Sequence, residues 1–241
     1  TSSMTAHLLR HTGYGCNAFL GGITVNYNTN FWSNSRQVAV IEADEYDRSF
    51  LRLSPDIAVI SSMDADHLDI YGTEELLQEA FVEFSRRLKP EGTLYSKYGL
   101  AKSASLSAFK HYTYSLNDAS ADIYAKNIIM QEGGYRFSVV FPDGVIDDII
   151  LNMGGLHNVE NAVVSIAIAR NLGIDQVKIK DAVEAFRGVK RRFEYVLKNK
   201  NLVFVDDYAH HPEELKVLIS GARSLFPGRK CTVIFQPHLF S

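Results

Sequence analysis

The chain has 241 residues, 46% of them hydrophobic and 22% charged, with a formal net charge of −3. That length allows two domains with sizeable cores. The slight acidity excludes a nucleic-acid partner, which needs a basic face, and no apolar run reaches the roughly 18 residues of a membrane span.

The spacing predicts a helix over 2–12, with Met4, Leu8 and Leu9 on one side and Gly13 as its stop. Short β-branched runs at 38–41 and 57–60 read as strands buried on both faces, as in a parallel sheet. Residues 74–88 carry apolar positions at helical spacing, with Thr73 as N-cap and Lys89-Pro90-Glu91-Gly92 as the stop. The segments 123–130, 135–141 and 145–153 are separated by glycine- and proline-bearing turns and predict an antiparallel meander. Helices over 157–171 and 175–186 follow, split by Gly173, with a domain boundary near 188–193. A strand at 202–205, a helix at 213–225 and a strand at 231–235 then resume the strand–helix–strand rhythm. The fold class is therefore α/β: a mostly parallel central sheet with flanking helices and a meander, then the first βαβ part of a Rossmann-like domain. Cys16 and Cys231 lie far apart, which fits a reducing, cytoplasmic setting. The chain opens mid-pattern at Thr1 and stops at Ser241 just after a strand-like run, so a piece of a larger protein is expected.

Four apolar runs end in polar clusters: Glu42-Ala43-Asp44-Glu45, Asp64-Ala65-Asp66-His67, Asp206-Asp207-Tyr208-Ala209-His210-His211 and Gln236-Pro237-His238. In open α/β sheets ligands bind outside the carboxyl ends of the strands. Glu42 and His67, at the ends of two strands expected to be neighbours, could hold Mg²⁺ together with phosphate oxygens, although a histidine suits Mn²⁺ or Zn²⁺ better. Taken singly, each cluster also reads as a solvated loop. Asn158 and Asn161 share one helix face; they could read an adenine edge, or Asn158 could cap its helix. Lys190-Arg191-Arg192 could clamp phosphates between domains or be a solvated linker.

The ordered set I-E-A-D-E, D-A-D-H-L-D-I-Y, G-L-H-N-V-E-N-A, K-R-R-F-E, D-D-Y-A-H-H-P and F-Q-P-H resembles the Mur ligases of bacterial peptidoglycan synthesis over essentially the whole chain. The resemblance implies a central ATP-binding domain over 1–190 and a partial C-terminal Rossmann-like ligase domain over 191–241. The family's N-terminal UDP-binding domain and its phosphate loop, of the form G-T-H-G-K-T-T, are not in the sequence. It implies ATP and Mg²⁺, with Mn²⁺ possible, and UDP-N-acetylmuramate and L-alanine as substrates, joined through an acyl phosphate. It makes Glu42 and His67 metal ligands and puts Asn158 and Asn161 at the adenine. Arg192 falls at the phosphates, Asp207 at the ribose, Tyr208 and His210 near the nucleotide and the reacting carboxylate, and His238 near the amino acid. His210 and Arg192 would be the catalytic pair. Leu239 follows F-Q-P-H where alanine-adding members often carry arginine. Without the phosphate loop the chain alone is expected to be inactive. The alternatives are a tripeptide-adding recycling ligase of the same family, or a metal-dependent hydrolase built on Asp64, Asp66, His67, His210 and His211. The oligomeric state is open.

Overall fold

The structure is a computed structural model and describes residues 1–64, 68–131, 133–210 and 212–236. His67 and His238, and with them Asp66 and His211, lie outside the described residues.

Helix α1 (Ser2–His11) leads into strands β1 (Asn17–Thr24), β2 (Thr29–Trp32) and β3 (Ala39–Ile41). These form a three-stranded sheet of order β2-β1-β3, antiparallel between β1 and β2 and parallel between β1 and β3. A kinked 3-10 segment (Tyr46–Arg52) precedes β4 (Ile57–Ile60), the one-turn helix α2 (Leu68–Tyr71), α3 (Glu74–Arg86), β5 (Thr93–Lys97) and β6 (Lys110–Ser115). The meander follows as β7 (Ile123–Gln131), β8 (Gly134–Phe141) and β9 (Gly144–Leu151). The six-stranded sheet runs β4-β5-β6-β7-β8-β9, parallel from β4 to β7 and antiparallel beyond. Helices α4 (Leu156–Asn171) and α5 (Gln176–Ala185) complete this part. Then come β10 (Glu194–Lys198), β11 (Val203–Asp206) and α6 (Pro212–Leu225), with β10 and β11 pairing antiparallel.

The expected neighbours 38–41 and 57–60 fall in different sheets, as β3 and β4, each at an edge. Strand β3 pairs with β1 instead, aligning Phe19 with Ile41. The expected strand at 231–235 is not formed among the described residues. A strand exists only where its backbone groups find a neighbour, and β11 is paired with β10 alone; Ile234 stands 94% exposed.

Local chemistry accounts for the helices that were legible. Thr73 accepts from the Leu76 amide at 3.3 Å at the start of α3, and Asp175 does the same for Val177 at 2.9 Å at the start of α5. The α4 helix differs from expectation at its start. Its N-cap is Gly155, at φ 85°, a backbone state costly for any residue with a Cβ. Asn158 lies inside the helix, and its amide donates back to the Gly154 carbonyl at 2.7 Å.

Three apolar clusters hold these layers. The largest joins α4 and α5 to the meander through Phe137, Val139, Ile149, Leu151, Val163 and Ile166. A second seats α3 on β4 and β5 through Phe50, Ile60, Leu77, Phe84 and Leu94. A third packs α1 on the three-stranded sheet through Ala6, Leu9, Cys16, Ala18, Leu20 and Trp32. Phe193, Leu225 and Phe226 belong to the first cluster, so the segment after 190 is seated on the same core. Its link to the small sheet is an added rung of strand. Val25 N–H donates to Gly188 O and Lys190 N–H to Ile23 O, both at 2.9 Å, around a bridge between Thr24 and Val189.

Candidate active site

The N-termini of α1 and α4 meet. The Thr1 hydroxyl donates to Asn161 Oδ1 at 2.5 Å, one turn into α4. Neither helix carries an acid in its first turn, so both present positive dipole ends without an internal counter-charge.

Glu42 follows β3 directly, its amide donating to Phe19 O at 2.9 Å. Its carboxylate lies over Gly21 on β1, 2.8 Å from where a Cβ on that glycine would stand. Glu42 also lines a groove of about 560 Å³ with Phe19, Gly21, Phe31, Asp44 and Glu45. The turn behind it is held by Tyr71, whose hydroxyl donates to Glu45 O at 2.6 Å. Asp47 and Arg48 in that turn both sit in the left-handed region, at φ 52° and 62°, a strained state for residues bearing side chains.

Arg192 lies just after the rung that joins the two parts of the chain, between Arg191 at φ 58° and Phe193 at φ 51°. The Asp207 carboxylate, one residue past β11, fixes this bend: it accepts the Phe193 amide at 2.7 Å and the Ala209 amide at 2.8 Å. Phe193 closes over Gly154, where a Cβ would meet its ring at 2.2 Å. Tyr208 N–H donates to Arg191 O at 2.9 Å. The Tyr208 and His210 rings pack edge to face at 5.5 Å, and His210 N–H donates to Glu214 at 3.0 Å.

The structure thus brings Asn161 and, through Phe193 over Gly154, Arg192 and Asp207 to the start of α4, with Glu42 at the end of β3 over Gly21. Asn158 is buried, and its side-chain amide donates to Gly154 O from inside the helix, so it does not cap α4, whose N-cap is Gly155. Two groups missed from the sequence join the cluster. His157 is exposed as a residue, yet partial desolvation of its imidazole against the protein lowers its pKa, with Asp207 pulling upward. Lys97, the last residue of β5, pairs with Glu160 on α4 at 2.9 Å. The signal for His157 was its place inside G-L-H-N; Lys97 had none, because β5 itself was not legible. Among the described residues no group of three or more His, Cys, Asp or Glu side chains is placed to hold a metal, and no helix is long and apolar enough to cross a membrane.

Comparison with known proteins gives this arrangement a family. Residues 1–169 match the Mur ligase middle domain, and residues 191–238 match the Mur ligase glutamate ligase domain. The UDP-N-acetylmuramate--L-alanine ligase of Cytophaga hutchinsonii is 45% identical over 245 residues, covering 100% of this chain and 52% of that protein. That of Phocaeicola vulgatus is 46% identical over 243 residues, with 100% and 53% covered. The crystal structure of the UDP-N-acetylmuramate-alanine ligase MurC of Thermotoga maritima superposes with a TM-score of 0.85 at 29% identity, covering 98% of this chain and 54% of that one. The chain spans about half the length of the curated relatives it matches. With the middle-domain model alone accounting for residues 1–169 of 241, the chain belongs to the Mur ligase family.

Proposed function

We propose that this chain supplies the ATP-binding core, residues 1–190, and the start of the amino-acid-binding domain, residues 191–241, of a cytoplasmic ligase that joins L-alanine to the carboxylate of UDP-N-acetylmuramate. The frame that β1 gives both charged groups carries the reading: Glu42 lies over Gly21, and the backbone that roots Arg192 is held by the rung between Thr24 and Val189, which sets a carboxylate for a cation and a guanidinium for phosphates against one strand. The names of the relatives supply the substrates.

The chemistry requires charge neutralisation. The muramoyl carboxylate oxygen attacks the γ-phosphorus of ATP, and the bond to the ADP oxygen breaks. The alanine amine then attacks the acyl carbon, gives up a proton and expels inorganic phosphate. Bringing a carboxylate to a triphosphate opposes like charges, and preorganised cations and dipoles lower that cost. Arg192 would stand at the phosphates, backed by the starts of α1 and α4. Asn161 would face the adenine, and Asp207, Tyr208 and His210 the nucleotide and the reacting carboxylate from the far side of the bend. His67 and His238 retain the metal and amino-acid roles that the family resemblance implies.

The Glu42 carboxylate fits a hard divalent cation. It sits in a cradle that any Cβ at position 21 would fill, and Mg²⁺ asks for one or two carboxylates with phosphate oxygens and water. Bound there, Mg²⁺ would offset charge building on the transferring phosphoryl group. The chain alone is expected not to turn over, since the sequence holds no Gly-rich loop with its lysine.

The test is ADP release by the protein at the full length of its relatives. Release should need both UDP-N-acetylmuramate and L-alanine, and Glu42→Gln should abolish it at low Mg²⁺. Release without UDP-N-acetylmuramate, or with a tripeptide but not alanine, refutes the assignment.

A further inference from the structure

Across the small sheet, Phe31, Phe19 and Ile41 stand side by side, because Phe19 pairs with Phe31 on one neighbour and with Ile41 on the other. All three point away from α1, at 52%, 49% and 46% exposure. The two phenyl rings lie 5.2 Å apart at 57°, forming a broad tilted platform. Solvent-facing aromatic pairs are expensive to leave wet and mark contact surfaces. This one lines the same groove as Glu42, whose carboxylate lies over side-chain-less Gly21. A volume of about 560 Å³ is in the range of small-molecule sites.

We propose that Phe19 and Phe31 form the platform on which the hexosamine ring of the acceptor substrate lies. The proposal rests on the ligase reading above and adds the residues that hold the sugar. The reacting carboxylate hangs from that ring on a lactyl arm of three bonds, roughly 4 Å in reach. Phe19 precedes Gly21 by two residues, about 7 Å along the strand. A carboxylate delivered beside Glu42 therefore leaves its sugar over the Phe19 ring. The face a pyranose presents to an aromatic ring is its apolar C–H face, which suits a platform with no charged group. Asp44 and Glu45 also line the groove, and like-charge repulsion turns the diphosphate end of the substrate away from them.

The test measures KM for each substrate separately in the full-length enzyme. Phe31→Ala and Phe19→Ala should each raise KM for UDP-N-acetylmuramate about three- to tenfold. KM for ATP and for L-alanine should stay within about twofold, and Phe31→Tyr, which keeps the ring, should restore the sugar affinity. Phe109→Ala, at a still more open aromatic that does not line the groove, is the control and should change nothing. Direct titration with UDP-N-acetylmuramate should show the same order of affinities. An unchanged KM for UDP-N-acetylmuramate, or equal losses for all three substrates, overturns the platform and leaves the ligase reading standing. An unmodified enzyme inactive with these three substrates overturns both.

Discussion

Replacing Gly21 with alanine separates the shape of the site from the stability of the fold. The new methyl would stand 2.8 Å from Glu42 Oε1 and 3.3 Å from its Cδ. Ordinary contact begins near 3.4 Å, so the oxygen must withdraw by about 0.6 Å. That exceeds the roughly 0.5 Å within which a site's ligands must be held. The obstructing atom is the end of a flexible side chain, and Gly21 is not in the left-handed region, so the backbone accepts alanine. Loss of glycine's freedom in the unfolded chain favours the variant by about 0.4–1 kcal/mol. Gly21→Ala should therefore melt at the same temperature or slightly higher. The Mg²⁺ concentration for half-maximal ligase activity should rise about tenfold, the lower end of what misplaced metal-site support costs. Thermal denaturation of the chain and a Mg²⁺ titration of the full-length enzyme are the two assays. Unchanged Mg²⁺ dependence would show that the Glu42 carboxylate is not a ligand, and a falling melting temperature would show that the cradle is structural.

Two further expectations concern the frame. His7 is fully buried between Tyr27 Oη and Ala182 O at 2.9 Å each, and burial lowers its pKa from 6.5 to about 4. Between those values the unfolded chain binds more protons, so stability is lost as pH falls from 6.5 towards 4, by up to about 3 kcal/mol. Urea unfolding across that window should show the slope, and His7→Gln should flatten it relative to the parent, in which His111 and His157 also titrate low; an unchanged slope refutes the account. Asp207→Asn leaves one acceptor oxygen for two amides, those of Phe193 and Ala209, a loss of about 1–3 kcal/mol. Those amides should exchange hydrogen faster in the variant, and equal protection would exclude the bracket.

Helices α1 and α3 to α6, strands β3, β4 and β11 and the meander could be read from the sequence, the helices and meander by their period, caps and turn residues and the strands by unbroken apolar runs; the one-turn α2 could not. Strands β1, β2, β5, β6 and β10 could not. In β1, two glycines interrupt the pattern, and they are there to let Glu42 and Val189 approach. In β5, Thr93 and Ser96 are buried where a central strand is expected to be apolar, and Ser96 Oγ is satisfied by His111 on β6 at 2.7 Å. Only a tertiary hydrogen bond makes such a residue tolerable. Missing β1 is also what made 38–41 and 57–60 look like neighbours. The site motifs were legible as types, yet the split between Asn161, which faces Thr1, and Asn158, which serves its own helix, depends on where α4 begins. That start is set by Gly155 and not by an asparagine.

The adjacent glycines of β1 tie the two halves of the site together. Successive strand residues point to opposite faces. A Cβ on Gly21 would meet the Glu42 carboxylate, and one on Gly22 would meet Val189 Cγ1 at 2.4 Å. Val189 is β-branched and stiff about χ1, so it cannot swing aside as a glutamate can. Its carbonyl accepts the Arg192 amide at 3.2 Å. One strand thus sets Glu42 on one face and the root of Arg192 on the other, and the rung between Thr24 and Val189 fixes their register. The distance between the proposed metal ligand and the proposed phosphate clamp is determined by β1, and not by the linker that the basic run Lys190-Arg191-Arg192 resembles in sequence.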